Sequence, residues 1–316
     1  MKKIFKILGI VLLVALLAII AFAAKINFSP IASYPIESHP FELKSDSAKI
    51  VRGHAIAMTL CNNCHKDGEG TLGGGEVKDA PIFGKIYAPN ISHHPEKSKL
   101  QEYSDAELVY LLRTGIKRNG QYAPPYMVKL PLLSDNDMQA LVSFLRSDHP
   151  LMAPSDKVQP ISEPSFFAKF LCTVAIKPLP YPDAPIPDPD PNNKVELGQY
   201  VANGLASCFE CHSANFSSNN TMEPSKSVGF YAGGNKLTDL EGKNVLSPNI
   251  TMDEETGIGT WTEEAFMECV KSGIRKDKPA TQYPMVPYTY LSDSEISAMW
   301  AYLQTVPKIK NEVKSE

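Results

Sequence analysis

Cysteine is scarce in this chain, with six in 316 residues, too few to build a disulfide scaffold. Basic residues are also thin on the ground. Net charge is −4, and with Lys2, Lys3 and Lys6 at the very start the remainder holds 28 basic against 35 acidic residues, or −7. A phosphate-binding surface needs a basic stripe, so nucleic acid is not an expected partner. Period-two alternation is rare, which excludes a sheet-built fold. Histidine stops early: none follows His212. No strand–glycine–helix context surrounds Gly73-Gly74-Gly75 or Gly233-Gly234, so both are read as turns rather than phosphate loops. The chain is still 43% apolar and 21% charged, a globular composition able to bury real cores.

One long apolar run is present. Residues 7–24 are uncharged and follow the three lysines. As a helix they would measure about 27 Å, close to a bilayer's hydrocarbon core. The lysines place the start in the cytoplasm and the bulk of the chain outside it. An uncleaved anchor accounts for the length of the run; a signal peptide cleaved near Ala21, Ala23 and Ala24 is the alternative. The expected location is the cytoplasmic (inner) membrane, single-pass, with the rest facing the periplasm.

Proline divides the remainder of the chain. Pro30, Pro35 and Pro40 suit an extended stalk over residues 25–45. Alternating prolines from Pro178 to Pro191 cannot form a helix or a central strand, so they read as a connector. Before them, Ser165 to Ile176 reads as an apolar helix packed on a flanking domain. The domains on either side are repeats. Pro89-Asn90-Ile91 matches Pro248-Asn249-Ile250, Gly115-Ile116 matches Gly273-Ile274, and Met127 and Met285 each stand 12 residues beyond that glycine. Leu133-Ser134-Asp135 and Leu291-Ser292-Asp293 then open a closing helix in each copy. Duplication of one small domain explains this. The expected division is 1–24 anchor, 25–45 stalk, 46–150 first domain, 151–193 apolar helix and connector, 194–308 second domain and 309–316 tail. Helices are expected over Ser47–Leu60 and Val195–Ser207, with capping boxes at Ser104/Glu107 and Ser292/Glu295 and a simple cap at Thr262. The fold class is all-α.

Four of the six cysteines fall in two pentads, Cys61-Asn62-Asn63-Cys64-His65 and Cys208-Phe209-Glu210-Cys211-His212. This is the spacing of covalent haem attachment: two thiols three positions apart meet the two vinyl groups on one porphyrin edge, and the next histidine ligates iron. A zinc ribbon would not require histidine directly after both pairs, and a thioredoxin-like site would want a βαβ setting. Two covalently bound haem c groups are therefore expected, on Cys61, Cys64, Cys208 and Cys211, with His65 and His212 as proximal ligands. Met127 and Met285, at matched repeat positions in proline-rich segments, are the expected distal ligands. His54, His93, His94 and His149 are the alternatives at the first haem. Asn90 and Asn249 suit either a turn or a haem propionate. Cys172 and Cys269 read as buried small hydrophobes, with a disulfide between them open outside the cytoplasm.

Each half resembles a class I cytochrome c domain: helix, pentad, loop, distal methionine, closing helix. The Pro-Asn-Ile step, the helix ending in Gly-Ile, and Tyr-Pro-Met before Leu-Ser-Asp in the second copy are similar to the membrane-bound cytochrome subunits of bacterial alcohol and gluconate dehydrogenases. Those subunits commonly carry three haem domains; this chain has two. The resemblance covers residues 46–150 and 194–308. It implies an electron carrier rather than an enzyme, in an extracytoplasmic respiratory chain. The implied partners are redox proteins: a dehydrogenase, a quinol-linked complex or a terminal oxidase. A dihaem peroxidase or a sulfur-compound oxidoreductase is the rival, and would need one haem with a labile or vacant distal position.

Overall fold

Residues 2–78, 80–275 and 279–313 are described by the computed structural model. The apolar run lies within one helix, α1 (Lys2–Phe28), whose 18-residue window has a mean hydropathy of 3.2 and no buried residue. Each repeat then folds from the same parts. In the first, Asp46 accepts the amide of Lys49 and opens α2 (Ser47–Leu60), which runs into the short α3 (Asn62–His65) carrying the pentad. Ser104 and Glu107 form a capping box that opens α4 (Asp105–Thr114), and Ser134 caps α5 (Asp135–Leu145). Beyond α6 (Phe166–Val174) the second repeat has α7 (Lys194–Gln199), α8 (Cys208–His212), α9 (Glu263–Ser272) capped by Thr262, and α10 (Asp293–Leu303) with its own capping box. Strands are vestigial: Gly75 and Glu76 pair with Ala88 and Tyr87, Gly84 and Lys85 with Pro164 and Glu163, and Lys236–Thr238 with Asn244–Leu246, all antiparallel.

The opening and closing helices of each repeat cross at a glycine. A Cβ on Gly53 of α2 would lie 1.9 Å from the carbonyl oxygen of Ala140 on α5, and one on Gly198 of α7 equally 1.9 Å from that of Ala298 on α10. Backbone meets backbone at both crossings, so nothing flexible can yield. Gly53→Val should cost about 3 kcal/mol or more, the upper range for overpacking a core. Denaturant unfolding followed by far-ultraviolet circular dichroism measures it, and a loss under about 0.5 kcal/mol would show that this crossing is not tight.

Three expectations need correcting. The helix expected over Val195–Ser207 is α-helical only to Gln199; Tyr200–Leu205 forms a π turn, and Ser207 is left-handed at φ 48°. Cys61 stands eight positions after Gly53, but Cys208 stands ten after Gly198. The wider turn absorbs the surplus while keeping the crossing and the pentad in place. The stalk, secondly, does not hold α1 away from the first repeat. Ile31 is buried, Tyr34 N–H donates to Gly120 O (2.8 Å), Tyr122 N–H donates to Ala32 O (3.0 Å), and Gln139 brackets residues 42–44 through two hydrogen bonds.

Thirdly, the connector is strapped down and the repeats pack together. Leu179 N–H donates to Thr114 O (3.0 Å), Asp135 N–H to Ile186 O (2.9 Å), and the Tyr181 ring stacks on His39 at 3.8 Å. Between repeats, Arg52 of α2 bonds Asp137 at the start of α5 (2.8 Å) and reaches Glu295 at the start of α10 (2.6 Å). Tyr200 Oη from the π turn donates to the same Asp137 (2.6 Å). Asp137 and Glu295 are repeat-equivalent and both buried, so one guanidinium bridges two carboxylates across the junction. A single hydrophobic cluster accordingly runs through both repeats.

The helix expected over Ser165–Ile176 forms as α6 and packs on the first repeat and α1. Cys172 lies in a cluster with Ile31 and Tyr122, while Cys269 is buried on α9, and no disulfide joins them.

Candidate functional site

Both pentads end in a histidine held the same way. His65 Nδ1 meets the carbonyl oxygen of Pro89 at 2.9 Å, and His212 Nδ1 meets that of Pro248 at 2.9 Å. A carbonyl only accepts, so Nδ1 carries the proton and each Nε2 keeps its lone pair. Burial holds both imidazoles below the ordinary histidine pKa, more strongly than the proline carbonyl raises them. They are neutral near pH 7, the state needed to ligate a metal.

The Pro-Asn-Ile step is itself fixed. Asn90 is buried; its amide nitrogen donates to Ser155 O (2.8 Å) and Lys157 O (3.0 Å), while its Oδ1 accepts Ser92 N–H (2.9 Å). Asn249 bonds in the same manner with Ile309 O (2.7 Å) and Thr251 N–H (2.9 Å). Of the two roles open to these asparagines, turn or propionate partner, the turn role is the one their bonds serve. Gly74 and Gly233 complete the cradle. Both have positive φ, 84° and 71°, and each donates its N–H to the carbonyl of the pentad histidine, at 2.8 and 2.7 Å. A Cβ on either would come within 2.4 Å of the residue preceding or forming the Pro-Asn step. The glycine-rich stretches are backbone fittings, as expected.

The methionine loops are also held alike. Ala123 N–H bonds Gly115 O and Leu130 N–H bonds Leu112 O, both at 2.7 Å; Thr281 bonds Gly273 (2.7 Å) and Tyr288 bonds Val270 (2.8 Å) at the matching positions. A cation ending the middle helix pins the next turn. Arg113, 1% exposed, donates to Leu130 O and to Asp135 (both 2.9 Å), and Lys271 donates to Leu291 O (2.6 Å) and Asp293 (2.9 Å). Their place at matched repeat positions was visible in the sequence; their task of fixing the methionine loop was not.

In the first repeat these elements surround a cavity of about 930 Å³. Cys61, Cys64 and His65 lie on its wall together with Met127, among Leu100, Leu108, Leu112, Leu130 and Leu141. Its volume is at the upper end of cofactor-sized pockets. Of the alternative histidines none lines it. His93 Nε2 bonds Leu145 O (2.7 Å), His94 Nδ1 accepts the amides of Glu96 and Lys97 (both 3.1 Å), and His54 stacks on His149 at 4.6 Å. Burial pushes the Cys61 and Cys208 thiols up to about 12, opposite to the lowered pKa of a redox-active dithiol. Among the described residues no group of three or more His, Cys, Asp or Glu gathers as a zinc ribbon requires. An apolar cavity bordered by two thiols, an imidazole with its Nε2 lone pair free of protonation, and a thioether fits a covalently held haem.

The second repeat differs in its packing. Tyr231 and Tyr288 stand where the first has Leu72 and Leu130, and Tyr231 Oη donates to buried Asn203 (2.7 Å), which donates to Tyr302 Oη (3.0 Å). Burial raises the pKa of both Tyr231 and Tyr288, keeping them neutral. Met285 is half-buried in the loop equivalent to that of Met127, with the same turn bond, Met285 N–H to Gln282 O at 3.0 Å. These tyrosines carried no signal in the sequence, since an isolated tyrosine reads as ordinary core.

The chain is 29% identical over 294 residues to the fructose dehydrogenase cytochrome subunit of Gluconobacter japonicus, covering 88% of this chain and 57% of that protein. It is 29% identical over 285 residues to the cytochrome c subunit of an alcohol dehydrogenase (quinone) from Gluconobacter oxydans, covering 84% of this chain and 56% of that one. A diheme cytochrome c-type protein of Cereibacter sphaeroides is 27% identical over 291 residues, covering 87% and 92% respectively. The chain thus spans somewhat over half the length of the dehydrogenase subunits and most of the two-haem protein. Cytochrome c itself matches residues 50–148 and 195–307, the two stretches that carry the pentads and their histidine, proline and methionine loops. With two thirds of its length so matched, the chain belongs to the cytochrome c family, whose cofactor is haem c.

Proposed function

We propose that this protein is a membrane-anchored dihaem cytochrome c that relays single electrons on the extracytoplasmic side, as the electron-transfer partner of a dehydrogenase. The duplicated framework carries the reading: pentad histidine on a proline carbonyl, and methionine loop on a glycine carbonyl, in both repeats. Cys61, Cys64, Cys208 and Cys211 hold the two haems, His65 and His212 are the proximal ligands, and Met127 and Met285 the distal ones. When bound, the haems supply reversible one-electron chemistry. The chain's own residues fix the imidazole tautomer, keep water from the apolar walls and present a thioether that favours the reduced state. Relatives that are dehydrogenase cytochrome subunits support a dehydrogenase as donor, and α1, long and apolar enough to span a bilayer, supports the anchor.

With both axial positions filled there is no open site for substrate, unlike a peroxidase. The reduced protein should therefore show no spectral change under carbon monoxide at neutral pH. A shift in half of the haem would favour the dihaem peroxidase instead. Carbonate washing should leave the haem in the membrane pellet with Lys2 and Lys3 still present on sequencing. Release of a haem protein beginning near Ala24 would overturn the anchor.

A further inference from the structure

Helix α6 carries apolar side chains on two opposite faces. Ala168 and Cys172 are buried against the first repeat, 0% and 1% exposed. At 100° per residue, the face opposite them holds Phe166, Phe170 and Val174 with Phe167 beside them. Phe166 is 44% exposed, Phe167 40% and Val174 46%, and the Phe166 and Phe170 rings stack at 6.2 Å. A helix on a soluble surface puts charge on that face. Around it the apolar surface continues through Ile82, 59% exposed, whose carbonyl accepts Ser165 Oγ at 2.7 Å, and Phe28, 84% exposed at the end of α1.

The position of α6 indicates what covers this face. It packs against α1, and Lys169 Nζ donates to Asn27 O at 2.7 Å. Asn27 lies three residues beyond the uncharged run that ends at Ala24, about 4.5 Å along the helix axis. That depth is the headgroup zone of the outer leaflet. Lys169 stands at that level and Lys177 Nζ donates to Thr173 O (2.6 Å) at the far end of α6. Lysine stems in such a zone stay apolar while their ammonium groups keep to the polar layer.

We infer that α6 is a second membrane contact, an interfacial helix lying in the outer leaflet's headgroup region with Phe166, Phe167, Phe170 and Val174 in the acyl boundary. This rests on the reading of α1 as an uncleaved anchor. It makes the first repeat a body seated on the bilayer by two elements rather than one swinging on a tether. The rim of the first cavity, lined by Pro30, Ile31 and Lys169, then sits at the membrane surface.

The test places a photoreactive benzoylphenylalanine in the full-length protein, reconstituted in phosphatidylethanolamine–phosphatidylglycerol vesicles, as Phe166→benzoylphenylalanine. Ile10→benzoylphenylalanine reports on the anchor, and Val51→benzoylphenylalanine, at a residue 71% exposed on the first repeat, reports on water. After irradiation, mass spectrometry should find phospholipid adducts at 166 and 10 and at least tenfold fewer at 51. Lipid at 10 but not at 166 overturns the interfacial helix and leaves the anchor standing. No lipid at 10 overturns the anchor, and this inference with it. In native membranes, a protein adduct at 166 in place of lipid assigns the face to a partner subunit and overturns the inference.

Discussion

A chain carrying Cys208→Ala and Cys211→Ala should be isolated with one covalent haem, half the pyridine-haemochrome absorbance per protein of the parent. The pentads lie in separate repeats, each with its own proline carbonyl and glycine-held loop, so removing one pair of thiols leaves the cradle of Cys61, Cys64 and His65 complete. The surviving haem should not be indifferent to the loss. Without its haem the second repeat loses its core, and α10 and the π turn loosen with it. The first repeat then loses the Tyr200 bond to Asp137 and the seat of Arg52 on Glu295. Unfolding of the remaining haem domain should become easier by about 1–3 kcal/mol, the usual cost of disturbing a buried polar network. Loss of both haems would show instead that the repeats load as one unit.

Met127→Ala should open the sixth position of the first haem. The methionine–iron charge-transfer band at the red end of the oxidised spectrum should fall by about half. Carbon monoxide should then bind about half of the reduced haem, because no histidine besides His65 stands on the cavity wall to take the place of the thioether. His54, His93, His94 and His149 are engaged elsewhere and none lines the cavity. Met127→His gives the complementary result. The iron stays six-coordinate, but an imidazole favours the oxidised state more than a thioether does. The potential of that haem should drop by about 0.1 V or more, within the roughly 0.8 V that axial ligands command. An unchanged spectrum in both variants would exclude Met127.

The chemistry was legible because it is local and repeated. Covalent attachment needs five consecutive residues, and duplication turned Pro89, Gly115 and Met127 into a register that could be checked against Pro248, Gly273 and Met285. Capping boxes at Ser104 and Ser292 were legible because all their bonds close within one turn. What escaped depends on distant partners. The stalk and connector show no periodicity because their backbone groups bond to other elements, at Gly120, Thr114 and Asp135, and extended chain reads alike whether strapped or free. Arg52 looks like any exposed helical cation until Asp137 and Glu295 are brought to it from 85 and 243 residues away. The π turn over Tyr200–Leu205 shows in the sequence only as a spacing difference of two, and such a surplus is equally compatible with a loop. The aromatic face of α6 read as burial, since hydrophobicity does not distinguish a core from a bilayer.

On the proposed reading, duplication produced two equivalent haem sites, each built from a pentad, a proline carbonyl and a methionine loop. The mass of the intact purified protein, measured together with pyridine-haemochrome quantitation against protein concentration, tests this most directly. Two covalent haems per chain, with only c-type haemochrome, is the result expected here. One haem per chain, or haem lost on acid–acetone extraction, would contradict it.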